Sequence, residues 1–260
     1  AVISDKKNNR KYPLADYSLT PTIAIVDPAF VLTVPASVTA DTGMDVLTHA
    51  VEAYTSTLAN DYTDGLALQA IKLVFENLES SVKNADFESR EKMHNASTMA
   101  GMAFANAFLG MSHSMAHKIG GFFHTVHGRT NAILLPYVIR YNGTRPAKAA
   151  TWPKYNYYKA DVKFQDIAKM LGLPASTPEE AVEALAKAVY DLGERVGIDM
   201  SIKGQGVDEK EYMDTVEEIA YLAYEDQCSP ANPRLPMVAD MVEILQDAYY
   251  GYKERPGRIK

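Results

Sequence analysis

The stretch Gly43-Met44-Asp45-Val46-Leu47-Thr48-His49-Ala50-Val51-Glu52 decides how this chain is read. Leu47, Ala50, Val51 and the following Tyr54 fall at i, i+3, i+4 and i+7, the apolar stripe that a helix turns toward a packed interior. Asp45 and His49 stand four apart, which sets a carboxylate and an imidazole one above the other on a face bordering that stripe. Standing alone, such a pair is most simply an ordinary hydrogen-bonded pair of one helix. Its donors also suit chelation of a divalent metal.

Outward from this helix the same periodicity recurs. Leu68, Ile71, Phe75, Leu78 and Val82 form a second stripe, and residues 96–108 are rich in Ala, Gly and Met, which lets helices approach closely inside a bundle. Thr177-Pro178-Glu179-Glu180 predicts an N-cap, a proline at the first helical position and a capping-box glutamate. Val182, Leu185, Val189 and Leu192 follow, and Gly197 stops that helix. Asp208 opens another helix through Val216 and Ile219, and Pro236 precedes a last one through Met241, Ile244, Leu245 and Ala248.

Residues 1–34 have a different texture. Val2-Ile3 and Tyr12-Pro13-Leu14 flank the polar run 4–10 and predict a hairpin with a long loop. Thr22-Ile23-Ala24-Ile25-Val26, closed by Asp27-Pro28, reads as a buried strand. The expected fold class is therefore mainly α: a short β segment over 1–34, then a multi-helix domain over 35–260 with roughly eight or nine helices.

Composition narrows the function classes. The 260 residues carry 26 basic and 33 acidic side chains, a net charge of −7, which argues against a phosphate-backbone partner such as nucleic acid. The longest strongly apolar stretch, 132–139, contains Pro136 and falls far short of the ~20 residues that span a bilayer. A lone Cys228 makes no internal disulfide, and the expected compartment is a reducing cytoplasm. The chain opens Ala1-Val2-Ile3 without Met and reads as a piece of a longer protein.

The six histidines are unevenly placed: His113, His117, His124 and His127 crowd into one apolar, glycine-containing segment, whereas His94 follows a charged run and reads as a surface residue. Burying several imidazoles without partners is costly, and a cation that takes them as ligands removes the cost. His113 and His117 repeat the four-residue spacing of Asp45 and His49, and Gly120-Gly121 could end their helix and let His127 fold back. Three or four protein ligands would leave an open coordination position, the mark of a catalytic metal site.

Residues 43–52, together with His113-Ser114-Met115-Ala116-His117-Lys118-Ile119-Gly120, resemble the two signatures of the iron-dependent (group III) alcohol dehydrogenases. Asp226-Gln227-Cys228-Ser229-Pro230-Ala231-Asn232-Pro233-Arg234 is closer still to the alcohol dehydrogenase half of bifunctional aldehyde–alcohol dehydrogenases. The resemblance implies a dehydroquinate synthase-like C-terminal domain with Asp45, His49, His113 and His127 as metal ligands and His117 beside the nicotinamide. The metal it implies is Fe²⁺, sometimes Zn²⁺, polarising the oxygen of a short alcohol or aldehyde while NAD carries the hydride. Val126 departs from the proline that relatives commonly place before the His-Gly pair. The one Gly-x-Gly, Gly204-Gln205-Gly206, reads as a turn and not as a phosphate loop, so the cofactor domain is expected to lie N-terminal to this chain. A homo-oligomer or filament of the complete protein is also implied. Two other classes fit the residues: a metal-dependent hydrolase with His124 or Glu52 as base, and an assembly module without chemistry.

Overall fold

The computed structural model describes residues 2–5, 10–13, 16–146 and 158–251. Strands β1 (Val2–Asp5) and β2 (Arg10–Pro13) pair antiparallel, Val2 opposite Pro13 and Asp5 opposite Arg10. The expected hairpin is there, its strands reaching into the polar run; residues 6–9 and Leu14 lie outside the described residues. The strand expected over 22–26 is not: Ile23 and Ile25 are 79% and 89% exposed, and no described strand pairs with them. A β-branched run becomes a strand only where a neighbour takes up its backbone N–H and C=O groups.

The chain enters its helical body through a 3₁₀ turn, Pro28–Val31, capped by the Asp27 carboxylate, which accepts the Ala29 N–H at 2.9 Å. Arg90 fixes this entry. Its guanidinium, buried, donates to the carbonyls of Val31 and Val34 (2.9 Å each) and to Thr39 Oγ1 (2.7 Å).

Nine α-helices follow among the described residues. Helix α1 (Ala36–Thr55) buries Leu47, Ala50, Val51 and Tyr54, the stripe read from the sequence. Helix α2 (Asp61–Lys83) starts on a reciprocal cap: Asn60 Oδ1 accepts the N–H groups of Tyr62 and Thr63 while Thr63 Oγ1 accepts the N–H of Asn60. Helix α3 (Phe87–Ala107) is capped by Asp86 and packs Ala96, Ala100, Ala103 and Ala107 inward, so alanines give the close approach to α1 and α2. Helices α4 (Met111–Phe123) and α5 (His127–Gly143) come next, then α6 (Ala160–Met170) and α7 (Pro178–Arg195). Thr177 caps α7 as predicted, but the Glu180 carboxylate reaches back to the N–H of Ser176 (2.7 Å) and not to that of Thr177. Helix α8 (Glu209–Tyr224) begins on the Asp208 cap, and α9 (Val238–Tyr250) closes the described fold.

One expectation about a helix end is corrected. Gly120 and Gly121 lie within α4, which runs on to Phe123 and stops at His124, a residue at φ 54° in the left-handed region. Gly120 is buried inside that helix. Gly204-Gln205-Gly206 is a turn, as read, with Gly206 at φ 81°.

The helices gather around two apolar clusters. One joins α1, α2, α3, α6 and α7; the other joins α4, α8 and α9. Helix α5 belongs to both, giving Ala132, Leu135 and Ile139 to the first and Ile133, Leu134 and Val138 to the second. A helix apolar all round is one buried all round, and α5 is the wall the two clusters share.

Candidate metal centre

The seam beside that wall brings the polar residues together. Asp45 comes from α1 in the first cluster, His113 from α4 in the second, and His127 opens α5 itself. Asp45, His113 and His127 each offer one ligand atom within 4.8 Å of the others. Asp45 Oδ1 stands 3.7 Å from His113 Nε2 and 3.8 Å from His127 Nε2, too far for hydrogen bonds but close enough to share a cation.

His113 Nε2 is buried and has no hydrogen-bond partner. Its ring is held from the other side: Glu52 Oε2 lies 2.6 Å from Nδ1, and Glu52 Oε1 accepts the Ser112 N–H at 2.7 Å. A carboxylate on one imidazole nitrogen leaves the second nitrogen as a fixed lone pair, the arrangement that orients metal-ligating histidines. Burial pushes the His113 imidazolium well below its usual range, so the ring is neutral, the state that binds a metal. Burial likewise raises the Glu52 carboxyl to about 7, against the backbone N–H groups of Gly110, Ser112 and His113. For Asp45, burial acts upward, but His49, His113, His127 and the Asn131 hydrogen bond outweigh it and hold the carboxyl below its usual range.

Asn131, one turn after His127, lies 2.8 Å from Asp45 Oδ1 and 3.2 Å from His127 Nε2 through its side-chain nitrogen. These are lone pairs that a cation would use. Gly128 lets α5 come this close, since a Cβ there would sit 2.3 Å from the Asp41 carbonyl oxygen and 3.0 Å from Asp45 Cβ. Arg129 clamps the same end with two bonds to the Asp41 carboxylate, 2.8 and 3.0 Å.

The other sequence candidates fall as follows. His49 is not in the converging set; its ring stacks between those of Phe104 and His113, with centroids at 4.6 and 4.4 Å. His117 lies against His127, rings nearly parallel and 5.3 Å apart, with Nδ1 turned to Asp226 at 3.3 Å. His124 is exposed at the end of α4, outside the cluster, and His94 is partly exposed on α3. Val126 is the N-cap of α5 with φ −69°, a backbone that proline also adopts, so the departure leaves the turn intact.

Sequence reasoning named Glu52 only as a base and missed Asn131 and Asp226. Glu52 had a signal, since 45, 49 and 52 share a helical face; so had Asn131, four residues after His127. Asp226 stands in the stretch quoted for the resemblance, but no local spacing links it to a histidine 109 residues away. His117, Asp226 and Cys228 form a second group of donors within reach of one another. There the Lys118 ammonium already occupies Asp226 at 2.7 Å, and burial raises the Cys228 thiol, which must ionise to ligate. That trio is a polar anchor.

Two imidazoles and a carboxylate around an orphaned buried nitrogen are the donor set of a divalent transition-metal centre. Residues 39–249 match the family described as Fe-containing alcohol dehydrogenase family, C-terminal. An aldehyde-alcohol dehydrogenase of Streptococcus pneumoniae (serotype 2, strain D39) is 82% identical over all 260 residues, which make up 29% of its length. An alcohol dehydrogenase from Oenococcus oeni superposes with a TM-score of 0.85 at 34% identity, covering 96% of this chain and 61% of that one. A sulfoacetaldehyde reductase from Bifidobacterium kashiwanohense, solved in complex with NAD⁺, gives 0.77 at 27% identity over 95% and 60% of the two chains. The chain belongs to the Fe-containing alcohol dehydrogenase family, and the fold class read from its sequence stands.

Proposed function

We propose that this chain is the metal-holding helical part of a dehydrogenase that interconverts short primary alcohols and aldehydes, with NAD bound by polypeptide outside these 260 residues. The observation that carries the reading is His113 Nε2, buried, unpartnered and 3.7 Å from the Asp45 carboxylate. Leaving such an atom unpaired costs about 1–3 kcal/mol, which a cation removes.

Asp45, His113 and His127 would hold the metal, Fe²⁺ or Zn²⁺, with His49 as a fourth donor that leaves its stack to do so. When bound, the ion supplies a Lewis acid that stabilises negative charge on the substrate oxygen. The chain's own residues do the rest. Glu52 fixes the His113 ring through Nδ1. The two apolar clusters flank the seam and bury His113, while Asp45 and His127 stay partly open to an incoming substrate. His117, beside His127, accepts or returns the hydroxyl hydrogen bond as alcohol and aldehyde interconvert.

Elemental analysis of the purified chain after anaerobic loading and dialysis tests this. One ion per chain is expected, with none retained by His113→Ala. Equal metal in the two would sink the reading. His49→Ala separates ligand from stacking partner: a ligand's loss weakens metal binding, whereas unchanged affinity leaves His49 as packing.

A further inference from the structure

We propose that Asp226 is a positioning residue for His117: it fixes the ring so that Nδ1 carries the hydrogen and Nε2 presents a lone pair to the substrate beside the metal ligands. The inference rests on the function proposed above and names a residue of that same site.

The geometry comes from three parts of the chain. His117, on α4, turns Nδ1 to Asp226 Oδ2 at 3.3 Å, and Lys118 Nζ donates to the same oxygen at 2.7 Å. The other oxygen, Oδ1, accepts the Cys228 N–H at 3.1 Å. Three donors thus converge on one buried carboxylate in the turn after α8. Burial raises its carboxyl, but the hydrogen bonds from His117 and Lys118 outweigh that and hold it well below the usual range. An ionised carboxylate only accepts hydrogen bonds, so the ring nitrogen facing it must be the N–H. In the neutral ring the remaining nitrogen is then an acceptor, suited to the hydroxyl of an alcohol.

The turn itself is held in place. Ser229 Oγ donates to the Ala223 carbonyl at 2.7 Å and lies 3.1 Å from Ser114 Oγ, setting the turn against the helix that bears His113 and His117. The Ala231 carbonyl accepts the Thr57 N–H at 3.0 Å, tying it to the end of α1. A carboxylate anchored to both ligand-bearing helices can set a ring angle; one on a free loop could not.

The test uses the metal-loaded full chain and the complete NAD-dependent enzyme. Long-range proton–nitrogen spectra of the loaded chain report each imidazole tautomer. His117 is expected in the Nδ1–H form, and a wild-type His117 in the Nε2–H form overturns the proposal outright. Asp226→Ala is expected to mix the two tautomers and lower kcat for alcohol oxidation by about 10–100-fold, with KM and metal content unchanged. Asp226→Asn keeps an acceptor oxygen toward His117 and restores the tautomer and most of kcat. Lys118→Met removes one of the carboxylate's donors and is expected to keep His117 in the Nδ1–H form, with a smaller loss of kcat than Asp226→Ala. If Asp226→Ala leaves tautomer and kcat unchanged, or if Lys118→Met matches its loss, Asp226 is only an ion-pair anchor. A wild-type chain that takes up no metal would overturn the underlying function, a result separate from the tautomer.

Discussion

At the residue scale, the Glu52–His113 contact carries most of the site's order. Glu52 is buried and stands 2.6 Å from His113 Nδ1, so Glu52→Gln exchanges a carboxyl for an amide without changing shape. Metal affinity is expected to fall by about 10–100-fold with the fold retained, read by competition with a chelator. Unchanged affinity would reduce Glu52 to a packing residue. The legibility of the site follows the same logic of contact. Asp45, His113 and His127, which converge, are legible because donors spaced by helical turns announce themselves, yet spacing says nothing of rotamer, and His49 is turned into a stack with Phe104. Contacts made across the fold, such as Asp226 with His117, leave no local pattern to read.

Elements were legible where one face is apolar and the ends carry caps. Helices α7, α8 and α9 have both an apolar stripe and a start or stop signal in sequence, whereas α1 and α2 were legible from their stripes alone. The failures are informative: Gly120-Gly121 was read as a break, but glycine inside a buried helix also serves close packing, and 22–26 was read from propensity without a pairing partner. Two predictions belong here. Gly128→Ala would force α5 off the Asp41 carbonyl, at a cost of about 1–3 kcal/mol by overpacking, and would separate His127 from Asp45. Calorimetry and metal titration should both register the change; a variant that binds metal normally would contradict the close-approach role. Asp86 caps α3, and its bonds from the Ser89 N–H, the Ser89 hydroxyl and the Ser80 hydroxyl lower its carboxyl to about 2. As pH falls the unfolded chain takes up the proton first, so this stabilisation is complete above about 4 and disappears toward 2. Asp86→Ala should therefore melt below wild type at neutral pH, with the gap closing in that acid window. A gap that persists there would rule out the charged cap as its source.

At the scale of the whole molecule, the two clusters share α5 and meet at the seam of Asp45, His113 and His127, an arrangement that no periodicity in the sequence reveals. A cation held as proposed by Asp45, His113 and His127 would draw ligands from both sides and brace the two clusters. At a free concentration 100 times its dissociation constant, a bound ion adds about 2.7 kcal/mol. For a chain of this size that raises Tm by roughly 5–10 °C, measured by calorimetry with and without metal. A melting curve indifferent to added Fe²⁺ or Zn²⁺ would mean that no brace forms.

The short connection between α4 and α5 has one more outcome. Only His124, Thr125 and Val126 separate the helices that bear His113 and His127, so the spacing of these imidazoles is set by the backbone and adjusts little to its guest. Magnesium and calcium, plentiful wherever an enzyme works, ask for six or more oxygens in wide or strictly octahedral shells. A cradle of imidazole nitrogens with a single acidic oxygen would offer them little, and would stay free for scarcer, softer guests.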